Sequence, residues 1–309
     1  MIFEDISFLE GLKNEEIIRH FSTKRKSRSD KKLFRSNMML NPLKLKHLNR
    51  IDDLPADMIT LNLEDGISKE RKKEALYKTA LFLSHLKSSK SFIIVRVNPI
   101  DEGGIEEIEF LNDFSFDAIR VSKVKTPKDM ERVLKILDKD KEFHISLETK
   151  EAFGDIKSLK TDKRFTTANL GILDLLNSLN LPQSLLCFDN PTIDYILSKF
   201  LIDCKSSDIL PISFMYQDYK NIDEFTKWCE KEKKMGFECK ACLGPAQVEI
   251  ANRIFSLTDT QIERAEHIVK LFETNSKRGI NGFMDERYGF IDEPIYKDAL
   301  LILKNALKL

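Results

Sequence analysis

From residue 34 onward, short apolar runs alternate with longer amphipathic stretches. The runs are SNMMLN (36–41), MITLNL (58–63), SFIIVRV (91–97), AIRVSKV (118–124), HISLE (144–148), TTANLGI (166–172), LPISFMY (210–216) and FECKACL (237–243). Their brevity suits buried strands. Between most of them lie helical patterns: SKERKKEALYKTALFLSHL (68–86), TPKDMERVLKILDK (126–139) and NIDEFTKWCEKEKKMG (221–236). The last opens on Asn-Ile-Asp and stops at Gly236, start and stop signals of a helix. Eight strands alternating with helices predict an α/β fold, a (β/α)8 TIM barrel. A doubly wound open sheet shares this alternation, but no G-x-G-x-x-G follows the first run and no P-loop occurs.

Both ends of the chain depart from that rhythm. Phe8, Leu9, Leu12, Ile17, Ile18 and Phe21 fall roughly at helical spacing, and the basic run STKRKSRSDKK (22–32) follows. That run reads as an arm for nucleic acid or a partner, or as a solvated tether; the lack of interleaved aromatics favours the tether. The tail adds two helices, QIERAEHIVKLFET (261–274) and EPIYKDALLILKNALKL (293–309). The Gly-rich, charged NSKRGINGFMDERYGFID between them is a candidate lid or partner-crossing segment. The expected divisions are an N-terminal helix and basic linker (1–33), the barrel (34–255) and a C-terminal helical extension or lid (256–309).

Composition narrows the classes. Of 309 residues 42% are hydrophobic, with 21 Phe, which excludes a disordered or fibrous chain. Fifty basic residues balance 50 acidic ones, so no global field draws the chain to nucleic acid or an anionic membrane. No apolar stretch approaches transmembrane length. The opening MIFEDISFLEGLKNEE carries acids where a signal peptide needs a basic region, so a cytoplasmic protein is expected. The five cysteines are odd in number and scattered, as reduced core thiols are. Cys239 and Cys242 form a lone C-x-x-C within a strand pattern, where packing is favoured over metal or disulfide chemistry.

In such a barrel, chemistry sits at strand C-termini. The second run ends in Asn62-Leu63-Glu64-Asp65-Gly66, the third in Arg96-Val97-Asn98 and the fifth in Glu148-Thr149, while the sixth runs through Gly171 to Asp174. Two carboxylates from adjacent strands suit a hard divalent cation completed by water and substrate oxygens. A nearby arginine can hold an anionic oxygen. No histidine ends a strand and no Ser sits in a nucleophile elbow, which argues against a zinc site or a Ser-His triad.

At these residues the chain resembles the citrate lyase beta-subunit and malyl-CoA lyase group of the HpcH/HpaI aldolase superfamily. Arg35-Ser36 resembles its opening Arg-Ser, LNLEDGISKERKKEAL its Asp-Leu-Glu-Asp motif with the helix after it, and VRVNP its Arg-Val-Asn strand. SLET resembles its Glu-Thr, LGILDL its Gly-x-x-Asp-Leu, and GFECKACLGPAQVEIANRIFS its Gly-Phe-x-Gly-Lys segment. The resemblance implies a Mg²⁺-dependent carbon–carbon lyase or aldolase acting on a hydroxy-acid or its coenzyme A thioester, in a homo-oligomer such as a trimer or hexamer. It makes Glu148 and Asp174 the metal ligands and Arg96 the contact to the carbonyl or enolate oxygen. Glu64 and Asp65 become the acidic pair beside Arg96, and Arg35 a further anion contact. Asp292 resembles a late acid/base that reaches a neighbouring subunit; it also stands where an N-cap for the helix from Glu293 belongs. Departures are Asn62 for Asp, Ser122-Lys123 for Pro-Lys, and Leu243-Gly244-Pro245 for Ile-His-Pro. They leave a second reading, a divergent member acting as a non-catalytic binding or regulatory subunit.

Overall fold

A computed structural model describes residues 1–22 and 33–307. The basic run lies outside the described residues except for Ser22. Eight parallel strands close into a barrel in the order β1 to β8. They are β1 Ser36–Leu40, β2 Met58–Asn62, β3 Phe92–Arg96, β4 Ala118–Val121, β5 Glu142–Leu147, β6 Phe165–Leu170, β7 Leu210–Ser213 and β8 Cys239–Cys242. Each falls largely within one of the apolar runs. The runs are nearly continuous because a parallel sheet under helices buries both of its faces. The barrel expectation is met, and the open sheet is excluded by the β1–β8 ladder, in which Ser36 is opposite Lys240.

Capping chemistry sets the helix limits. Thr126 and Asp129 form a reciprocal capping box at the start of Pro127–Ile136. Asn221 caps Ile222–Met235 through the Glu224 amide, and Gly236 ends it at φ 108°, a conformation glycine adopts without strain. A further helix, Pro191–Lys205, is capped by Asn190.

Alternate positions line the barrel's interior in layers. Phe92, Ile94 and Arg96 climb β3 from floor to mouth, and the floor is apolar: Met58, Phe92, Ile94, Ala118 and Ile212. Above it lies a polar layer, where the Thr60 hydroxyl donates to Asn37 Oδ1 at 2.8 Å and Asn37 Nδ2 to Asn169 Oδ1 at 3.0 Å. The first 22 residues have no core of their own. Leu9 and Ile17 are buried in the barrel unit's main core, and Phe3 meets Phe82 edge-on at 5.1 Å.

Residues from Ser256 onward form a second compact unit. It holds helices Asp259–Ser276 and Glu293–Ala306 and an antiparallel hairpin, β9 Gly282–Asp285 with β10 Gly289–Asp292. Its core is Ala265, Ile268, Phe272, Ile291 and Ala299. The segment read as a lid or crossing loop therefore contains a hairpin. Its turn is tied by Asp285, which accepts from the Arg287 and Tyr288 amides. No described helix is long and apolar enough to cross a membrane.

Candidate active site

The C-terminal mouth of the barrel holds a cavity of about 370 Å³ lined by Asn62, Asp65, Arg96, Arg120, Glu148, Asn169 and Asp174, among others. The β2 exit is braced at Asn62, whose amide donates to the Asp65 carbonyl at 2.6 Å. A carboxylate could not make that bond, which gives the Asn-for-Asp departure a local structural use. Lys72, from the following helix, donates to the Leu63 and Glu64 carbonyls. These ties hold Glu64 and Asp65 against the end of β3.

Arg96 sits among three carboxylates. It pairs with Glu64 and lies 3.3 Å from Asp65 and 3.5 Å from Glu148. Glu64 is buried, with Arg96 at one oxygen and Lys123 Nζ 4.0 Å from the other. Burial raises the Glu64 carboxyl above its ordinary range, with Arg96 opposing. Glu148 ends β5 and accepts from the Lys123 amide at 2.8 Å. Burial pushes it up to about 7 against the pull of Arg96, with Glu64 and Asp174 adding repulsion. Asp174, in the first turn of Ile172–Ser178, borders the same cavity. Gly171 precedes it, and a Cβ there would lie 2.8 Å from Glu148 Oε2.

Glu148 and Asp174 fit a hard divalent cation. A buried carboxylate lifted toward neutrality beside a second one is relieved when a cation arrives. Among the described residues no group of three or more His, Cys, Asp or Glu side chains is arranged to hold a metal ion. Two protein carboxylates then leave the other positions to water and substrate oxygens, an arrangement Mg²⁺ accepts.

The structure thus brings Arg96, Glu64, Asp65, Glu148 and Asp174 together, and it places Arg35 elsewhere. Arg35 precedes β1 at the opposite end of the barrel, where its Nε donates to Asp57 Oδ2 at 2.8 Å and its NH2 to Oδ1 at 3.1 Å. This corrects the expected anion contact: strand direction puts Arg35 at the floor end, bound to a structural carboxylate. Asp292 belongs to the second unit and caps Glu293–Ala306, accepting from the Ile295 amide at 3.2 Å. Cys239 and Cys242 are both buried, and burial raises both thiols.

Sequence reasoning missed Arg120 and Asn169. Arg120 NH1 donates to Asn169 Oδ1 at 3.0 Å, and burial together with Arg96 lowers its guanidinium to about 9. The available signal was an arginine two residues from Ala118 inside an apolar run, in register with Arg96.

A closed parallel barrel with an arginine set among acids at its mouth defines the class: a (β/α)8 protein with a charged mouth. Within that class, the HpcH/HpaI aldolase/citrate lyase family model matches residues 36–245, and the chain belongs to this family. A (3S)-malyl-CoA thioesterase of Cereibacter sphaeroides is 29% identical over 249 residues, covering 80% of this chain and 85% of the relative. A citrate lyase from Burkholderia xenovorans superposes with a TM-score of 0.76 at 16% identity, covering 88% of this chain and 91% of that one. CitE from Mycobacterium tuberculosis, solved with magnesium, acetoacetate and coenzyme A, gives a TM-score of 0.68 at 15% identity over 89% of this chain and 98% of that one.

Proposed function

We propose that this protein is a Mg²⁺-dependent carbon–carbon lyase that cleaves a hydroxy-acid carried as its coenzyme A thioester. The observation that carries the reading is Arg96, paired with Glu64, in one cavity with Asp65, Glu148 and Asp174. Relatives named for malyl-CoA and a fold neighbour solved with magnesium and coenzyme A support it. Glu148 and Asp174 would hold Mg²⁺, which supplies Lewis-acid polarisation of the oxo-acid fragment.

A carboxylate takes the substrate's hydroxyl proton, and the carbon–carbon bond opens. Its electrons pass into the thioester as an enolate, which then regains a proton at carbon. Arg96 stabilises the enolate oxygen, the charge that grows only as the bond breaks. Glu64 and Asp65 hold Arg96 in place until that oxygen arrives. Asp292 of a neighbouring copy is the proposed proton carrier, in a cytoplasmic trimer or hexamer. Light scattering that finds only monomer would remove that part of the proposal.

The decisive test supplies malyl-, citramalyl- and citryl-CoA with Mg²⁺ and identifies the products. Carbon–carbon cleavage lost in Glu148→Ala and Asp174→Ala supports the lyase. Full metal-dependent turnover in either variant refutes it, free acid plus coenzyme A with the carbon skeleton intact marks a thioesterase, and tight binding without turnover marks the non-catalytic reading.

A further inference from the structure

Lys123 stands just past β4 in a backbone conformation that a long side chain disfavours. Four non-glycine residues among those described have positive φ: Lys123, Asn180, Asp189 and Asp208. Three are Asn or Asp, whose short polar side chains tolerate the left-handed region; Lys123, at φ 54°, is the exception. Such strain persists where the surroundings over-determine the backbone. Here the Lys123 amide donates to Glu148 Oε1 at 2.8 Å, and the Thr149 hydroxyl donates to the Val124 carbonyl at 2.7 Å. The turn is thereby latched to the residues leaving β5, but the lysine side chain is not. It is 47% exposed, with Nζ 4.0 Å from Glu64 Oε1.

Glu64 therefore faces a different cation at each oxygen. Arg96 pairs with Oε2, and Lys123 stands off from Oε1. Among the described residues these are the two ion pairs of the Glu64 side chain. Lys72 is engaged by the Leu63 and Glu64 carbonyls. Arg120 attracts Glu64 over a longer range, its NH1 held by Asn169 Oδ1 at 3.0 Å. The chemistry of Arg96 then sets a problem. To grip an enolate oxygen it must loosen its hold on Glu64, and a buried carboxylate whose partner leaves is costly. An ammonium on an exposed, rotatable stem needs to close by only about 1 Å to meet it.

We propose that Lys123 is the exchange counter-ion of Glu64: as Arg96 turns to the substrate oxygen, the Lys123 ammonium closes on Glu64 in its place. This rests on the reading of Arg96 as the enolate contact and adds the residue that lets Arg96 leave its resting partner. Lys123 acts through Glu64 and is a positioning residue.

The test is a double-mutant cycle of wild type, Lys123→Met, Glu64→Gln and the pair, assayed for cleavage of malyl-, citramalyl- and citryl-CoA with Mg²⁺. Lys123→Met should lower kcat roughly tenfold or more, the worth of a hydrogen bond to a charged group. KM and the Mg²⁺ midpoint should stay within about twofold of wild type, because the ammonium contact forms only as Arg96 leaves and the main-chain amide still meets Glu148. Lys123→Arg should recover most of the loss. In Glu64→Gln, with no carboxylate to neutralise, adding Lys123→Met should change kcat by less than about twofold. A direct contact between Lys123 and substrate would keep its full cost in that background, and a structural role would move Tm and Mg²⁺ affinity instead. Either result overturns the exchange, as does a wild-type kcat in Lys123→Met; Lys123→Gln carries the same comparison should Lys123→Met not fold. All of these outcomes leave the lyase reading standing. Wild type that cleaves none of the three thioesters overturns the lyase reading and the exchange together.

Discussion

Gly171→Ala tests whether the metal pair is built as tightly as the structure shows. The new Cβ would fall 2.8 Å from Glu148 Oε2 and 2.9 Å from Glu148 Cβ. Rotating the carboxylate relieves the first contact but not the second, since Glu148 Cβ moves only with its backbone. That backbone is held where the Gly171 amide donates to the Leu147 carbonyl at 3.0 Å, and β5 and β6 pair through Leu147 and Leu170. Relief therefore requires the two strand ends to separate. Overpacking of this kind costs about 1–3 kcal/mol, a loss of a few degrees in Tm for a chain of this size. Displacement of Glu148 should also weaken Mg²⁺ roughly tenfold or more, as expected when a ligand or its support is lost. A Mg²⁺ titration followed by thermal shift reads both effects. A variant with wild-type Tm and an unchanged Mg²⁺ midpoint refutes the idea that Gly171 makes room for Glu148.

Arg96→Lys keeps the charge but loses the planar fork, so turnover should fall by roughly one to three orders of magnitude with the fold unchanged by circular dichroism; unfolding without a separable kinetic effect would make Arg96 a structural ion-pair member. Because Glu148 titrates near 7 in the fold and binds a cation only when ionised, Mg²⁺ should bind about tenfold more weakly at pH 6 than at pH 8. The same raised carboxyl makes the metal-free protein lose stability as pH climbs from its unfolded value through 7, and Mg²⁺ restores it; a metal-induced Tm shift equal at both pH values contradicts this. Lys240 Nζ and Glu232 Oε1 form a fully buried pair at 2.6 Å, so Glu232→Gln should cost roughly 3–5 kcal/mol in thermal unfolding, whereas Lys240→Met with Glu232→Leu should come close to neutral.

Strand positions were readable because parallel strands buried on both faces leave unbroken apolar runs, and the mouth acids were readable because they end those runs. The same continuity hid Arg120 and Asn169. With both faces apolar, no alternation separates inward from outward positions until the barrel closes and Ala118 joins the floor. Arg35 was misplaced because a motif match carries no direction; only the course of β1 shows that a residue preceding Ser36 lies away from the mouth. The β9–β10 hairpin escaped because its strands are short and, apart from Ile291, exposed or half-buried, which leaves little periodic signal. The N-terminal segment held too few apolar residues to reveal that Leu9 and Ile17 join the barrel core.

Closure of the barrel has a kinetic consequence. The ladder that seals it joins Ser36 to Lys240 and Met38 to Cys242, pairings among the most distant in the sequence. Asn37, which orients Asn169 beneath the cavity, lies on β1 within that seam. Its backbone is held on both sides only after β8 has been synthesised and docked. Contacts of such separation form slowly because loop-closure entropy is lost before they contribute. Ligand affinity should therefore recover late in refolding, after helical signal has returned, and a chain ending before β8 should lack the floor of the site even where its earlier strands have collapsed.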